Sequence, residues 1–123
     1  MGTRCLISVE GFCGAKIYKH YDGYPEATLP WLEKFNMDFT KNRGIDPTYK
    51  FAQLLRDSVR SEKEFKLDQS KYTGWGVVHY SEDCGQEYEY VLKHDGSVNF
   101  KKCLDKSDFM WYNICNGLKA KPL

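Results

Sequence analysis

The sequence predicts an α+β domain: an antiparallel sheet of about five strands in the order ββααβββα, with helices packed on one face. Two observations carry this. Apolar residues recur with period two near the N-terminus and again from Gly74, and between these stretches they recur at helical spacing. Each strand-like stretch also holds a hairpin signal, Gly11 to Gly14 in the first and Asp95-Gly96 in the second. Strands clustered in runs and joined by hairpins argue against a doubly wound parallel sheet.

Residues Thr3 to Val9 alternate, with Cys5, Ile7 and Val9 on one face and Arg4, Leu6 and Ser8 on the other. "EGFCG" supplies turn glycines, and Ala15 to Tyr21 reads as the returning strand. In "TLPWLEKFNMDFTKNRG", Thr28 is placed to cap, Pro30 suits a first turn, and Leu32, Phe35 and Phe39 recur at helical spacing up to Asn42 and Gly44. Asp46 caps a second helix with Pro47 at its first position, and Phe51, Leu54, Leu55, Ser58 and Val59 form its apolar stripe. Ser61 to Lys71 is charged and weakly periodic, a helix end and a solvated connection.

From Gly74 the period returns to two. Trp75, Val77 and His79 oppose Gly76, Val78 and Tyr80, and then Tyr88, Tyr90 and Leu92 oppose Glu87, Glu89, Val91 and Lys93. With Val98 and Phe100 beyond Asp95-Gly96, this predicts a three-stranded meander. Phe109, Tyr112 and Cys115 predict a terminal helix from Asp105 to Leu118.

A chain of 123 residues is one domain's length, so residues 1–123 are read as a single domain. Eighteen Lys and Arg against 17 Asp and Glu leave a formal charge of +1, which supplies no global field for a polyanion or an acidic membrane. Arg56, Arg60 and Lys50 could meet nucleic acid, but Asp57, Glu62 and Glu64 dilute that patch, so no strong nucleic-acid signal remains. No run approaches the length of a membrane helix, and the N-terminus lacks the apolar core of a signal peptide. Leu6 stands where a myristoylation signal wants Ser or Thr. The five cysteines are odd in number and form no C-x-x-C pair, so the expectation is reduced thiols in the cytoplasm. Neither His20, His79 and His94 nor the cysteines show metal-ligand spacing, and no dinucleotide, P-loop or nucleophile-elbow motif is present. No metal and no cofactor are assigned.

The candidate site lies in "IYKHYDGYPE", Ile17 to Glu26. In an extended strand Tyr18, His20 and Asp22 share a face. A hairpin turning near Gly11 to Gly14 brings Thr3 and Arg4 beside them, at a corner formed by Asp22-Gly23-Tyr24-Pro25. Arg4 suits bidentate binding of phosphate or carboxylate, and Asp22 could orient His20 as an acid or base. The following helix would aim free N–H groups the same way. The same residues also make an ordinary stiff turn, with Asp22 bonding its own backbone and Arg4 forming a surface ion pair.

"GTRCLI" followed by "IYKHYDGYPE" resembles a family of small uncharacterised phage and prokaryotic proteins. These begin with a Thr-Arg strand and continue with a Tyr-x-His-aromatic-Asp-Gly-Tyr-Pro block. The matching positions are Thr3, Arg4, Tyr18, His20, Asp22, Gly23, Tyr24 and Pro25, within roughly the first 30 residues. The resemblance implies that these residues act as a unit, with no established activity attached. The chain departs from the family's glycine-containing helix entry, having "EATLPW" there.

The reading that follows is a non-enzymatic domain binding an anionic small molecule or a protein partner through Thr3, Arg4, Tyr18, His20, Asp22 and Tyr24. The alternative is a small hydrolase or phosphotransfer enzyme using His20 as acid or base with Asp22 and Arg4. The aromatic-rich sheet also offers a surface for a homo-oligomer.

Overall fold

The computed structural model describes residues 3–60 and 74–103. The expected connection at Ser61 to Lys71 and the expected helix at Asp105 to Leu118 lie outside them. In chain order the elements are β1 (Cys5–Val9), β2 (Phe12–Lys19), α1 (Pro25–Arg43), α2 (Pro47–Arg60), β3 (Trp75–His79), β4 (Tyr88–Leu92) and β5 (Val98–Lys102).

The α+β class holds, but the sheet is mixed rather than antiparallel. Its five strands are ordered β3-β2-β1-β4-β5. Both expected hairpins form, β1 pairing antiparallel with β2 and β4 with β5, where Gly96 takes φ 96°; the first turns at Glu10 and Gly11, so β2 starts at Phe12 rather than Ala15 and Gly14 lies within it. The expected meander does not form. β3 lies antiparallel to β2 at one edge, and β4 runs parallel to the central β1. The physical cause is residues 80–87, which return the chain to the starting level of β1 before β4 begins. β1 thus has a partner on each side, and all five of its residues are buried.

Both helices pack on the face that carries Cys5, Ile7, Val9, Ile17, Tyr90 and Leu92, to which they add Leu32, Phe51 and Leu54. Trp31 Nε1 of α1 donates to Asp57 Oδ2 of α2 at 3.0 Å, tying the two together. α2 begins as its sequence predicts, with the Asp46 carboxylate accepting from the Tyr49 N–H. α1 begins earlier than expected. Pro25, not Pro30, occupies its first turn, and Tyr24 is an extended N-cap that makes no side-chain cap. Pro30 sits inside the helix, and Thr28, expected as the cap, is fully buried in the first turn. Lys50 is also buried, 1% exposed, so it is no part of a basic surface with Arg56.

The opposite face of the sheet carries Leu6, Ser8, Lys16 and Glu89, all buried. Residues 80–87 are fastened there. Lys16 Nζ lies 4.6 Å from the centre of the Tyr80 ring and 4.0 Å from Glu89 Oε1, and Glu89 Oε2 accepts from Gln86 at 2.8 Å. A lysine on β2 and a glutamate on β4 therefore pair across β1.

Candidate functional site

The corner after β2 is built by backbone groups. The His20 N–H donates to the Gly74 carbonyl at 2.8 Å, and there the chain leaves the sheet. Asp22 turns it in the left-handed region, φ 56°, which aspartate tolerates better than most residues. The Gly23 N–H then donates to the Thr3 carbonyl at 2.7 Å, and the Gly23 carbonyl accepts from the Tyr90 hydroxyl at 2.6 Å. Gly23 is needed for closeness: a Cβ there would lie 2.8 Å from both Cys5 Cβ and the Thr3 carbonyl oxygen. The Asp22 carbonyl accepts from Thr28 Oγ1 at 2.7 Å and Lys19 Nζ at 3.0 Å, which is why Thr28 is buried. The corner thus joins the end of β2, the residues before β1 and the first turn of α1.

The chemistry lies on the sheet face away from the helices. Tyr18 stands opposite Leu6, so Arg4 and His20, two residues from each, project to the same side. The Tyr18 hydroxyl and His20 Nδ1 are 2.5 Å apart, and the Tyr21 ring meets the imidazole edge-on with centroids 4.6 Å apart. Tyr18, His20, Gly74 and Trp75 line an open cleft of about 170 Å³. That is below the roughly 300 Å³ of the smallest whole-ligand pockets and suits one small group.

Burial raises the Tyr18 pKa above the ordinary tyrosine value, partly offset by the positive charge of Arg4. Tyr18 is therefore a neutral hydroxyl across the physiological range. When it donates to Nδ1 of a neutral ring, the proton of the imidazole sits on Nε2, making that nitrogen a donor. Arg4 is half-buried, its Nη1 3.1 Å from where a Cβ on Gly85 would stand, and no carboxylate pairs with it among the described residues. With that tautomer the arrangement holds a cation and a ring N–H, and among the described residues neither has an acceptor.

The expected set is thus assembled in part. Arg4, Tyr18 and His20 come together. Thr3 contributes its carbonyl to the corner, and Tyr24 serves as the N-cap of α1 with 38% of its surface exposed. Asp22 lies past the end of β2, where strand alternation no longer applies, and its carboxylate does not bond His20. Its carbonyl, not its carboxylate, holds the turn. Gly74, Trp75 and Gly85 were not expected at the site. In the sequence Gly74 and Trp75 only open a strand-like stretch, and Gly85 carries no local signal.

Three of the described cysteines, Cys5, Cys84 and Cys103, are poor nucleophiles. Burial pushes the Cys5 and Cys103 thiols up to about 12 and raises Cys84 as well. Among the described residues no three His, Cys, Asp or Glu side chains group to hold a metal ion, and no helix is long and apolar enough to cross a membrane. No protein-family model matches the chain, and no curated protein or solved structure is significantly similar to it.

Proposed function

We propose that this chain is a small binding domain that recognises an anionic group, carried by a small molecule or a protein partner, at Arg4, Tyr18 and His20. One observation carries the reading: a half-buried arginine without a carboxylate partner among the described residues shares a sheet face with a tyrosine-histidine pair lining a cleft. Burying a guanidinium without a counter-charge is unfavourable unless something supplies one. The resemblance of Thr3, Arg4 and the Tyr18 to Pro25 block to small phage and prokaryotic proteins, which implies that these residues act as a unit, points to the same surface. Cys5, Cys13, Cys84 and Cys103 are free thiols, which supports a reducing, cytoplasmic setting.

The hydrolase alternative has less support. It needs His20 oriented by Asp22, whereas the Nδ1 atom of His20 faces Tyr18. A thermal-shift series with phosphate, sulfate, phosphomonoesters and carboxylates tests the proposal. A ligand at about 100 times its Kd stabilises by about 2.7 kcal/mol, which is several degrees for a domain of this size. The expected result is a shift in the wild type that Arg4→Ala abolishes. Silence across the series with both proteins folded would remove the anion reading.

A further inference from the structure

The contact between Tyr18 and His20 has a direction, and the direction depends on whether the ring is charged. At 2.5 Å the hydroxyl oxygen and Nδ1 share one proton. With a neutral ring accepting at Nδ1, the hydroxyl proton points at the imidazole and the Tyr18 oxygen offers no donor to the cleft. A protonated ring carries hydrogens on both nitrogens, so Nδ1–H must donate to the Tyr18 oxygen, and the hydroxyl proton turns outward. One proton added to His20 thus gives the cleft a positive charge and an O–H donor, on the sheet face that also carries Arg4.

We propose that the cleft takes the head of a phosphomonoester, as the dianion, and that His20 takes up one proton when it binds. The inference rests on the anion-binding reading above. Three features point to this class over a carboxylate. The protonated site offers two positive charges to match a dianion. Its donors, a guanidinium, an imidazolium N–H and a hydroxyl, come from separate points and suit a tetrahedral group better than a planar one. A cleft of about 170 Å³ open to solvent admits a phosphoryl head and leaves the rest of the molecule outside.

Several ionisable groups surround the Tyr18–His20 pair. Arg4 lies on the same face just before β1, Cys5 acts on Tyr18 from the other face of the sheet, Tyr21 and Asp22 follow β2, and Cys84 acts from residues 80–87. Gly74 and Trp75, at the start of β3, do not ionise. Burial keeps Cys5 and Cys84 as thiols and Tyr18 as a phenol.

The test is titration calorimetry of the full chain with phenyl phosphate at pH about 8, where an ordinary imidazole is neutral and a phosphomonoester is a dianion. Two buffers of different ionisation enthalpy report the protons taken up. The expected result for the wild type is uptake of about one proton per anion, with affinity falling about tenfold per pH unit above pH 8. His20→Gln should bind more weakly and take up none. Tyr18→Phe separates the inverted bond from a structural role. If Tyr18 served only as a partner of neutral His20, its removal would ease protonation and tighten binding. With the hydroxyl turned onto the phosphoryl group, binding weakens by about tenfold or more. Phenyl phosphate bound without proton uptake, benzoate bound as tightly as phenyl phosphate, or unweakened binding by Tyr18→Phe would overturn this inference while leaving an anion site in place. Failure of every anion to bind folded protein would overturn the anion site itself.

Discussion

Replacing Gly23 by alanine should be among the more damaging single changes in this protein, although it adds only one methyl group. A Cβ there would stand 2.8 Å from Cys5 Cβ, 2.8 Å from the Thr3 carbonyl oxygen and 3.0 Å from the Arg4 carbonyl carbon. Two of these are backbone atoms and the third belongs to a fully buried side chain, so none can swing away. The corner itself must move. Forcing a methyl group into packed surroundings costs about 1–3 kcal/mol. A displaced corner also strains the bonds from the Gly23 N–H to Thr3 and from Tyr90 to the Gly23 carbonyl, each worth about 0.5–1.5 kcal/mol. Together these predict a loss of about 2–6 kcal/mol, read as a lower urea midpoint at unchanged m. Tyr90→Phe in the Gly23→Ala background should cost less than in the wild type, because the bond it deletes is already weakened. A loss below about 0.5 kcal/mol, within ordinary surface scatter, would refute the claim that the corner is locked by close approach. Strict additivity of the two changes would refute the shared cause.

Three further outcomes are expected. Asn36, buried in α1, donates through Nδ2 to the carbonyls of Lys93 at 3.0 Å and Ser97 at 2.8 Å, closing the end of the β4–β5 hairpin. Asn36→Ala should destabilise by about 2–3 kcal/mol in urea unfolding, and a change under about 1 kcal/mol would mean that the hairpin needs no clamp. Cys5 holds its proton up to about 12 in the folded state against 9.0 when free, so the unfolded chain binds fewer protons between these values and stability falls as pH rises. Its share of the slope approaches about 1.4 kcal/mol per pH unit, and urea midpoints from pH 8 to 10 should fall less steeply for Cys5→Ala; parallel slopes would count against that reading. Asp22→Gly removes a side chain from a left-handed position and should leave stability unchanged or raise it by up to about 1 kcal/mol, whereas a clear loss in thermal melting would show that the carboxylate holds the turn after all.

The two hairpins, the strand faces and the start of α2 were legible in the sequence because each is a local matter. Alternation shows which residues share a face, Asp95-Gly96 bends a chain unaided, and Asp46 caps a helix within three residues of itself. The start of α1 was less legible, since Pro25 and Pro30 both suit a first turn. The buried bond from Thr28 to the Asp22 carbonyl accompanies the earlier start. Arg4, Tyr18 and His20 could be placed together because hairpin register is local as well, while the position of Asp22 depended on where β2 ends and on the sign of one φ angle.

What only the tertiary structure decided was which strands meet. A strand shows its faces to a reader of the sequence, but its edges are identical rows of N–H and C=O groups that carry no address. The parallel pairing of β4 with β1, the placement of β3 beside β2, and with it the arrival of Gly74 and Trp75 at the cleft, follow from contacts between residues far apart in the chain. The sequence by itself determined the face on which the site residues stand, because side-chain direction alternates residue by residue. The walls around them came from strand order, which depends on how the whole sheet buries its apolar surface.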